Sequence, residues 1–270
     1  MNTSWERWSS GALLGLAAIA IWCNDLSWTP EIADTLPLAL GLAAAVALGK
    51  PWSPTATPSP SPYIISWLIP TSLLGFSLGW VSHSITLLAV SFSSLCHCWE
   101  RRYFLPHPHR SRILLLVLLS FPWLVLDWPS IGWHFRISAA SSAESLFNAL
   151  SLPTSREGTR FIVMGLPIDV KPSCAGWNLL QLSLLSGVAL GILELPHHRR
   201  FWLLVALLPA FAWFANLLRI IALSIIGLSF DADLASGTLH SLTGLATLAL
   251  VLFVIRSFCL WLASLTPPKV

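Results

Sequence analysis

The chain has 270 residues, of which 55% are hydrophobic and 10% charged, with a mean hydropathy of +0.73. Soluble domains carry about 25% charged residues, so the composition excludes that class and predicts an integral membrane protein. The net charge of +3 says little about partners, nucleic acid is not expected among them, and no GxGxxG, P-loop or HExxH pattern appears.

The apolar segments predict an all-α polytopic membrane protein of about eight transmembrane helices. The first runs from Gly11 to Cys23 and is short for a span unless Trp8 and Trp28 mark its true ends. A cleaved signal peptide is the alternative reading. The second runs from Leu36 to Gly49 and is stopped by Lys50-Pro51. Together they form an N-terminal two-helix segment, residues 1–50, read as a hairpin peripheral to the rest. Residues 51–62 (PWSPTATPSPSP) read as an extended, poorly ordered linker. Residues 63–270 then form a six-helix membrane domain. Its spans are Tyr63–Trp80, Ser84–Trp99, Ile113–Trp128, Cys174–Leu195, Phe201–Leu228 and Leu239–Leu265.

Basic residues set the orientation. With eight spans, Arg7, Lys50, Arg101, Arg102, Arg110, Arg112, Arg199, Arg200 and Lys269 fall on one side. The short loops opposite hold Asp25, Glu31, Asp34, Asp231 and Asp233 and no Lys or Arg. Both termini are therefore expected in the cytoplasm, in a multi-pass plasma (inner) membrane protein. Loop 129–173 then lies outside. In it, 138–152 reads as a short amphipathic helix, and 161–170 as a β-hairpin around Gly165-Leu166-Pro167. The hairpin leads into Cys174, and its free edge offers a place for an extended peptide.

At Lys171-Pro-Ser-Cys-Ala-Gly-Trp-Asn178 a loop ends and an apolar helix begins, with Ser173 as the predicted N-cap. Cys174 falls in the first turn, where free N–H groups and the helix dipole stabilise a thiolate. Cys174, Asn178 and Gln181 share one helix face. Arg219 sits about two turns below the outer end of the next span, with Asn216 on its face, a costly depth unless it meets a partner or a wet cavity. His240 opens the last span, where the helix N-terminus and a nearby arginine favour neutral imidazole, the form a general base needs. Each residue also has a plainer reading. Cys174 alone reads as a core thiol, Arg219 as a pin to helix carbonyls, and His240 as an interfacial histidine. What sets them apart is that three spans bring them to one membrane face.

The order Cys174-Ala175-Gly176, then Asn216-x-x-Arg219, then His240-x-x-x-Gly244, on successive spans, resembles the exosortase/archaeosortase family. The resemblance covers the third span onward. Such enzymes commonly have Ser or Thr between Cys and Gly, where this chain has Ala175, so no hydroxyl role carries over there. His240, where archaeal relatives often have a second arginine, points to the bacterial branch. The resemblance implies a membrane-embedded cysteine transpeptidase needing no metal or cofactor. Its partners would be exported proteins with a C-terminal tail of short motif (Pro-Glu-Pro-like), transmembrane helix and basic cluster, besides the membrane lipids. Cys174 would attack the scissile carbonyl, His240 would move the proton, and Arg219 would stabilise the oxyanion or orient the motif. Asn216, Asn178 and Gln181 would support the site on its extracytoplasmic face.

Other readings compete. A small-solute transporter would use Arg219 and Asn216, but no internal repeat supports it. A non-catalytic subunit of an envelope polysaccharide export system would tolerate loss of Cys174. Cys96-His97-Cys98 with His107 and His109 forms a weak metal candidate, and the basic loop there reads better as a contact for anionic lipid. Asp127 is a candidate partner for Arg219 or His240.

Overall fold

The structure is a computed structural model, which describes residues 3–27, 32–55, 62–107, 109–170, 177–195, 198–229 and 238–265. Side chains of residues 3, 32–39, 62–66, 177–179, 198 and 238–241 also lie outside that description. The chain divides into two compact units, Met1–Asp127 and Trp128–Val270, and not at the Pro/Ser-rich stretch.

The first unit holds α1 (Thr3–Asn24), α2 (Ile32–Leu48), α3 (Pro62–Ser82), α4 (Ile85–Tyr103), α5 (Arg110–Leu119) and α6 (Trp123–Asp127). The first helix is longer than its apolar stretch suggested, because Ser4 to Ser10 continue it. α1 packs on α4 and α2 on α5, so the N-terminal pair is built into the unit and is not a peripheral hairpin. The start of the expected linker is also held. Thr55 N–H donates to the Tyr103 carbonyl at 3.0 Å, Leu105 N–H donates to that of Ser53 at 2.9 Å, and Trp52 stacks edge-on against Phe104.

The span expected over Ile113–Trp128 is not one helix. It breaks at Ser120-Phe121-Pro122 between α5 and α6. Pro122 has no N–H to donate back into the ladder, so carbonyls before it lose their partners. Two indoles take over. Trp123 Nε1–H donates to the Leu118 carbonyl at 3.0 Å, and Trp22 Nε1–H donates from α1 to that of Ser120 at 3.2 Å. Backbone groups buried away from water need such partners. Asp127 closes α6 and serves α4. Its carboxylate accepts from the Ser84 hydroxyl (2.8 Å) and from the backbone N–H groups of Ile85 (3.2 Å) and Thr86 (2.7 Å). The first turn of a helix leaves these donors free, and a carboxylate suits the positive end of the dipole. This service to α4 is the role the described contacts give Asp127.

Charge is sorted within this unit. The starts of α1 and α5 and the ends of α2 and α4 meet at one end, bringing Arg7, Lys50, Arg101, Arg102, Arg110 and Arg112 together. Arg102 faces Glu6 at 3.9 Å, and Arg110 Nε–H holds the buried Glu100 carboxylate at 2.8 Å. The loop is thus partly folded inward, where the sequence suggested a lipid-facing surface. Asp25 and Asp127 mark the opposite end. Hydrogen bonds from the Ser27 backbone N–H and hydroxyl, then the charge of His83, hold the Asp25 carboxyl below the usual carboxylate range.

The second unit begins with α7 (Pro129–Ala149), followed by β1 (Thr154–Glu157), β2 (Arg160–Val163) and β3 (Leu166–Asp169). Then come α8 (Trp177–Glu194), α9 (His198–Ser229) and α10 (Thr238–Ser264). α7 starts nine residues before the expected Ser138, with Pro129 in its first turn, a position where a missing N–H costs nothing. The sheet has three antiparallel strands in order β1-β2-β3, one more than the hairpin expected. Its second turn is Met164-Gly165, with φ of 49° and 86°. Both values being positive fits a tight two-residue hairpin. Leu166 and Pro167 therefore already lie in β3, and Pro167 is tolerated because β3 is an edge strand.

Alternation along β2 turns Phe161 and Val163 inward. They pack with Ala139, Ala140, Ala143 and Phe147 of α7 and with Leu217 and Ile220 of α9. The three alanines let the sheet and α9 approach α7 closely. Burying each phenylalanine contributes about 1.5–3 kcal/mol. Polar ties fix the cap. Arg156 Nε–H meets Glu144 at 2.8 Å, the Asn148 amide exchanges two hydrogen bonds with the Thr154 backbone, and Trp213 Nε1–H donates to the Ser138 hydroxyl at 2.9 Å.

Two helices are long and apolar enough to cross a bilayer among the described residues, within Arg199–Ser229 and Leu242–Ser264. Trp67–Ser82 and Leu180–Glu194 are shorter apolar stretches.

Candidate functional site

α8, α9 and α10 pack on one another. α8 and α9 run antiparallel at close range, and glycines permit it. A methyl group added to Gly187 would collide with Leu208, and one on Gly191 would come within 3.0 Å of Phe201 and 2.9 Å of Leu204. In lipid, such small residues let helices gain contact that larger ones would prevent. The register follows from these pairs. Buried Ala212 and Ala215 lie opposite Ser183 and Leu180, and Arg219 is level with the start of α8.

α10 meets the other side of α9. Phe211 stacks edge-on against Phe258, and an Arg200 Nη–H donates to the Leu262 carbonyl at 2.8 Å. Higher up, the Arg219 guanidinium lies flat against Gly244. A methyl group at Gly244 would stand 3.2 Å from Nη2, 3.4 Å from Cζ and 3.7 Å from Nε. The absence of a side chain there is what gives the guanidinium room. Gly244 is four residues after His240, hence on the same face of α10 one turn away. The glycine at position 244 thus has a steric reason that sequence inspection alone did not supply.

Asn216 is one turn from Arg219 on α9 and only 1% exposed. Among the described residues neither Oδ1 nor Nδ2 has a hydrogen-bond partner. A buried amide left unsatisfied costs about 1–3 kcal/mol. Ser183 of α8, fully buried and with no partner for its hydroxyl among the described residues, is a second such group and was not singled out from the sequence. Gln181 is buried on α8. Asn178 and His240 have helical backbone in α8 and α10, and His240 is in the first turn as expected, while both side chains lie outside the described residues. Cys174 lies outside them altogether, within 171–176.

The chain enters that stretch from a fixed point. Val170 follows β3 and is buried in the cluster that includes Leu217 and Ile220, the residues flanking Arg219 along α9.

The metal candidate gains no support. Cys98 is buried and Cys96 partly so, both with free thiols on α4. No group of three or more His, Cys, Asp or Glu side chains suited to a metal forms among the described residues.

No curated protein and no solved structure matches the chain. The family model described as transmembrane exosortase matches residues 27–256, which cover most of each compact unit and include Asn216, Arg219, His240 and the stretch carrying Cys174. The chain belongs to the transmembrane exosortase family.

Proposed function

We propose that the protein is a membrane-embedded cysteine transpeptidase that cuts the C-terminal sorting tails of exported proteins and passes the new C-terminus to an acceptor. The observation that carries this reading is the seating of the Arg219 guanidinium on Gly244, one turn from His240 on the same helix face. Two described points bracket the stretch that carries Cys174. Val170 is buried beside Leu217 and Ile220, and Trp177 opens α8 level with Arg219. Cys174 is three residues from Trp177, and three residues of chain span at most about 11 Å. The family, its Cys174/Arg219/His240 order and this geometry point the same way.

The chemistry follows from the residue types. Cys174 Sγ attacks the scissile carbonyl as its proton passes to the His240 imidazole. The carbonyl oxygen takes negative charge, which Arg219 and the buried amide of Asn216 stabilise. The C–N bond breaks, His240 returns the proton to the leaving amine, and a thioester remains on Cys174. An acceptor nucleophile, deprotonated by His240, attacks that thioester and frees the thiol. Asn178 and Gln181 are assigned a supporting role at this site. The three-stranded sheet ends on β3, whose outer edge is available to an extended substrate strand leading to Cys174.

Orientation follows the inside-positive rule. The end of the first unit that gathers its arginines is cytoplasmic, and the Cys174 end of the second unit faces outward. The tail's basic cluster remains in the cytoplasm while its motif meets the thiol on the other side.

The test is co-expression with a substrate carrying such a tail. Cys174→Ala, at normal accumulation in the membrane, leaves the substrate full-length. Normal processing by that variant refutes the transpeptidase reading.

A further inference from the structure

In the first unit, α1 leans on α4 and α2 on α5, which leaves a slot between the two N-terminal helices. The slot is a cavity of about 530 Å³, half open to the surroundings. Leu14 and Gly15 of α1, Leu42 and Ala45 of α2, and Leu114 and Val117 of α5 form its walls. Gly15 faces open space, since a methyl group there would find nothing within 4 Å. Apolar walls hold water poorly. A helix, about 10 Å across, needs several times this volume for even four turns. A slot of this size and lining within a membrane suits a single hydrocarbon chain.

The mouth specifies the other end of that ligand. Trp8, Trp52 and Trp99 surround it, the residue type that favours the headgroup level. Arg7 stands among them, its guanidinium 5.9 Å from the Trp8 ring centroid and 6.0 Å from that of Phe104. The two acids nearby are committed elsewhere. Glu6 faces Arg102 at 3.9 Å, and Glu100 is held by Arg110 at 2.8 Å. Among the described residues Arg7 therefore has no carboxylate counter-ion. A planar fork without an anion, above an apolar slot, matches a phosphate joined to an acyl chain.

We propose that this slot binds one molecule of an anionic phospholipid, its acyl chain between α1 and α2 and its phosphate on Arg7. The inference rests on the first unit alone and stands whether or not the second unit is a transpeptidase.

The test uses the full-length protein in nanodiscs containing phosphatidylglycerol with a photoactivatable diazirine on one acyl chain. Adducts are mapped by mass spectrometry after irradiation. Labelling is expected to concentrate on Gly15, Leu42 and Val117 over the outward-facing Leu16 and Leu40. Gly15→Leu, which fills the slot, should remove the cavity adducts and leave the outward ones. Arg7→Gln should erase the preference for phosphatidylglycerol over phosphatidylcholine. Even labelling of cavity and outer faces in the wild type would mean ordinary surrounding lipid and would overturn the proposal. Equal cavity labelling from both lipids in the wild type would do the same, and neither result depends on a variant folding.

Discussion

Gly244→Ala isolates the position of the Arg219 guanidinium from the stability of the fold. The new methyl group would stand 3.2 Å from Nη2 and 3.4 Å from Cζ. The first distance is shorter than ordinary contact, so the guanidinium must give by a few tenths of an ångström. Overpacking of this kind costs about 1–3 kcal/mol when the neighbour is rigid. Here the neighbour is the far end of a long side chain, so the cost should sit at or below the low end. Replacing a helical glycine by alanine returns about 1 kcal/mol of helix propensity. The two nearly cancel, and the thermal midpoint should stay within a few degrees of wild type. Catalysis has no such compensation. Removing one oxyanion donor costs about 10²–10³ in rate, and partial misplacement should cost roughly 10-fold. The assay is the initial rate of tail cleavage in proteoliposomes, read beside a melting curve. Wild-type cleavage in Gly244→Ala would show that the guanidinium position does not matter. Loss of both stability and cleavage would make Gly244 a packing residue only.

Further expectations follow from other contacts. Arg219→Lys keeps the charge but loses the planar fork, and cleavage should fall at least about tenfold at unchanged membrane accumulation. Asp127→Ala removes three hydrogen bonds from the start of α4 and should destabilise the first unit by about 1–2 kcal/mol, measured by chemical denaturation in detergent. Trp22→Phe leaves the Ser120 carbonyl unpaired at the break between α5 and α6, at a cost of about 1–3 kcal/mol in the same assay. Maleimide that cannot cross the membrane, added outside intact cells, should label Cys174 and spare Cys96 and Cys98. Labelling of Cys96 would invert the orientation.

The helical membrane class was legible because apolar runs of span length leave few alternatives. Helix ends were less so. α1 and α7 extend beyond their apolar cores, since Ser, Trp and a leading Pro are compatible with helix and only tertiary contact decides. The break at Pro122 was hidden because the apolar run continues through it, and what stabilises it is an indole from α1, about a hundred residues away. Met164-Gly165 was passed over for Gly165-Leu166-Pro167 because proline signals a turn more strongly than a positive φ at methionine. In the site, residue types and order pointed to Arg219 and His240, depth in a span also pointed to Arg219, and a shared helix face pointed to Asn216. The contact of Arg219 with Gly244 depends on the register between α9 and α10, which no single-chain pattern encodes. The contact of Asp127 with α4 was hidden for the same reason: a lone acid at a span end has several possible partners, and the free N–H groups of α4 are one of them.

The most direct measurement of the central claim is the intact mass of the purified enzyme during turnover with a tailed substrate. A covalent adduct on Cys174, released by hydroxylamine and accumulating when acceptor is withheld, is the predicted result. Steady cleavage without any such adduct, or with Cys174→Ser as fast as wild type, would contradict the claim.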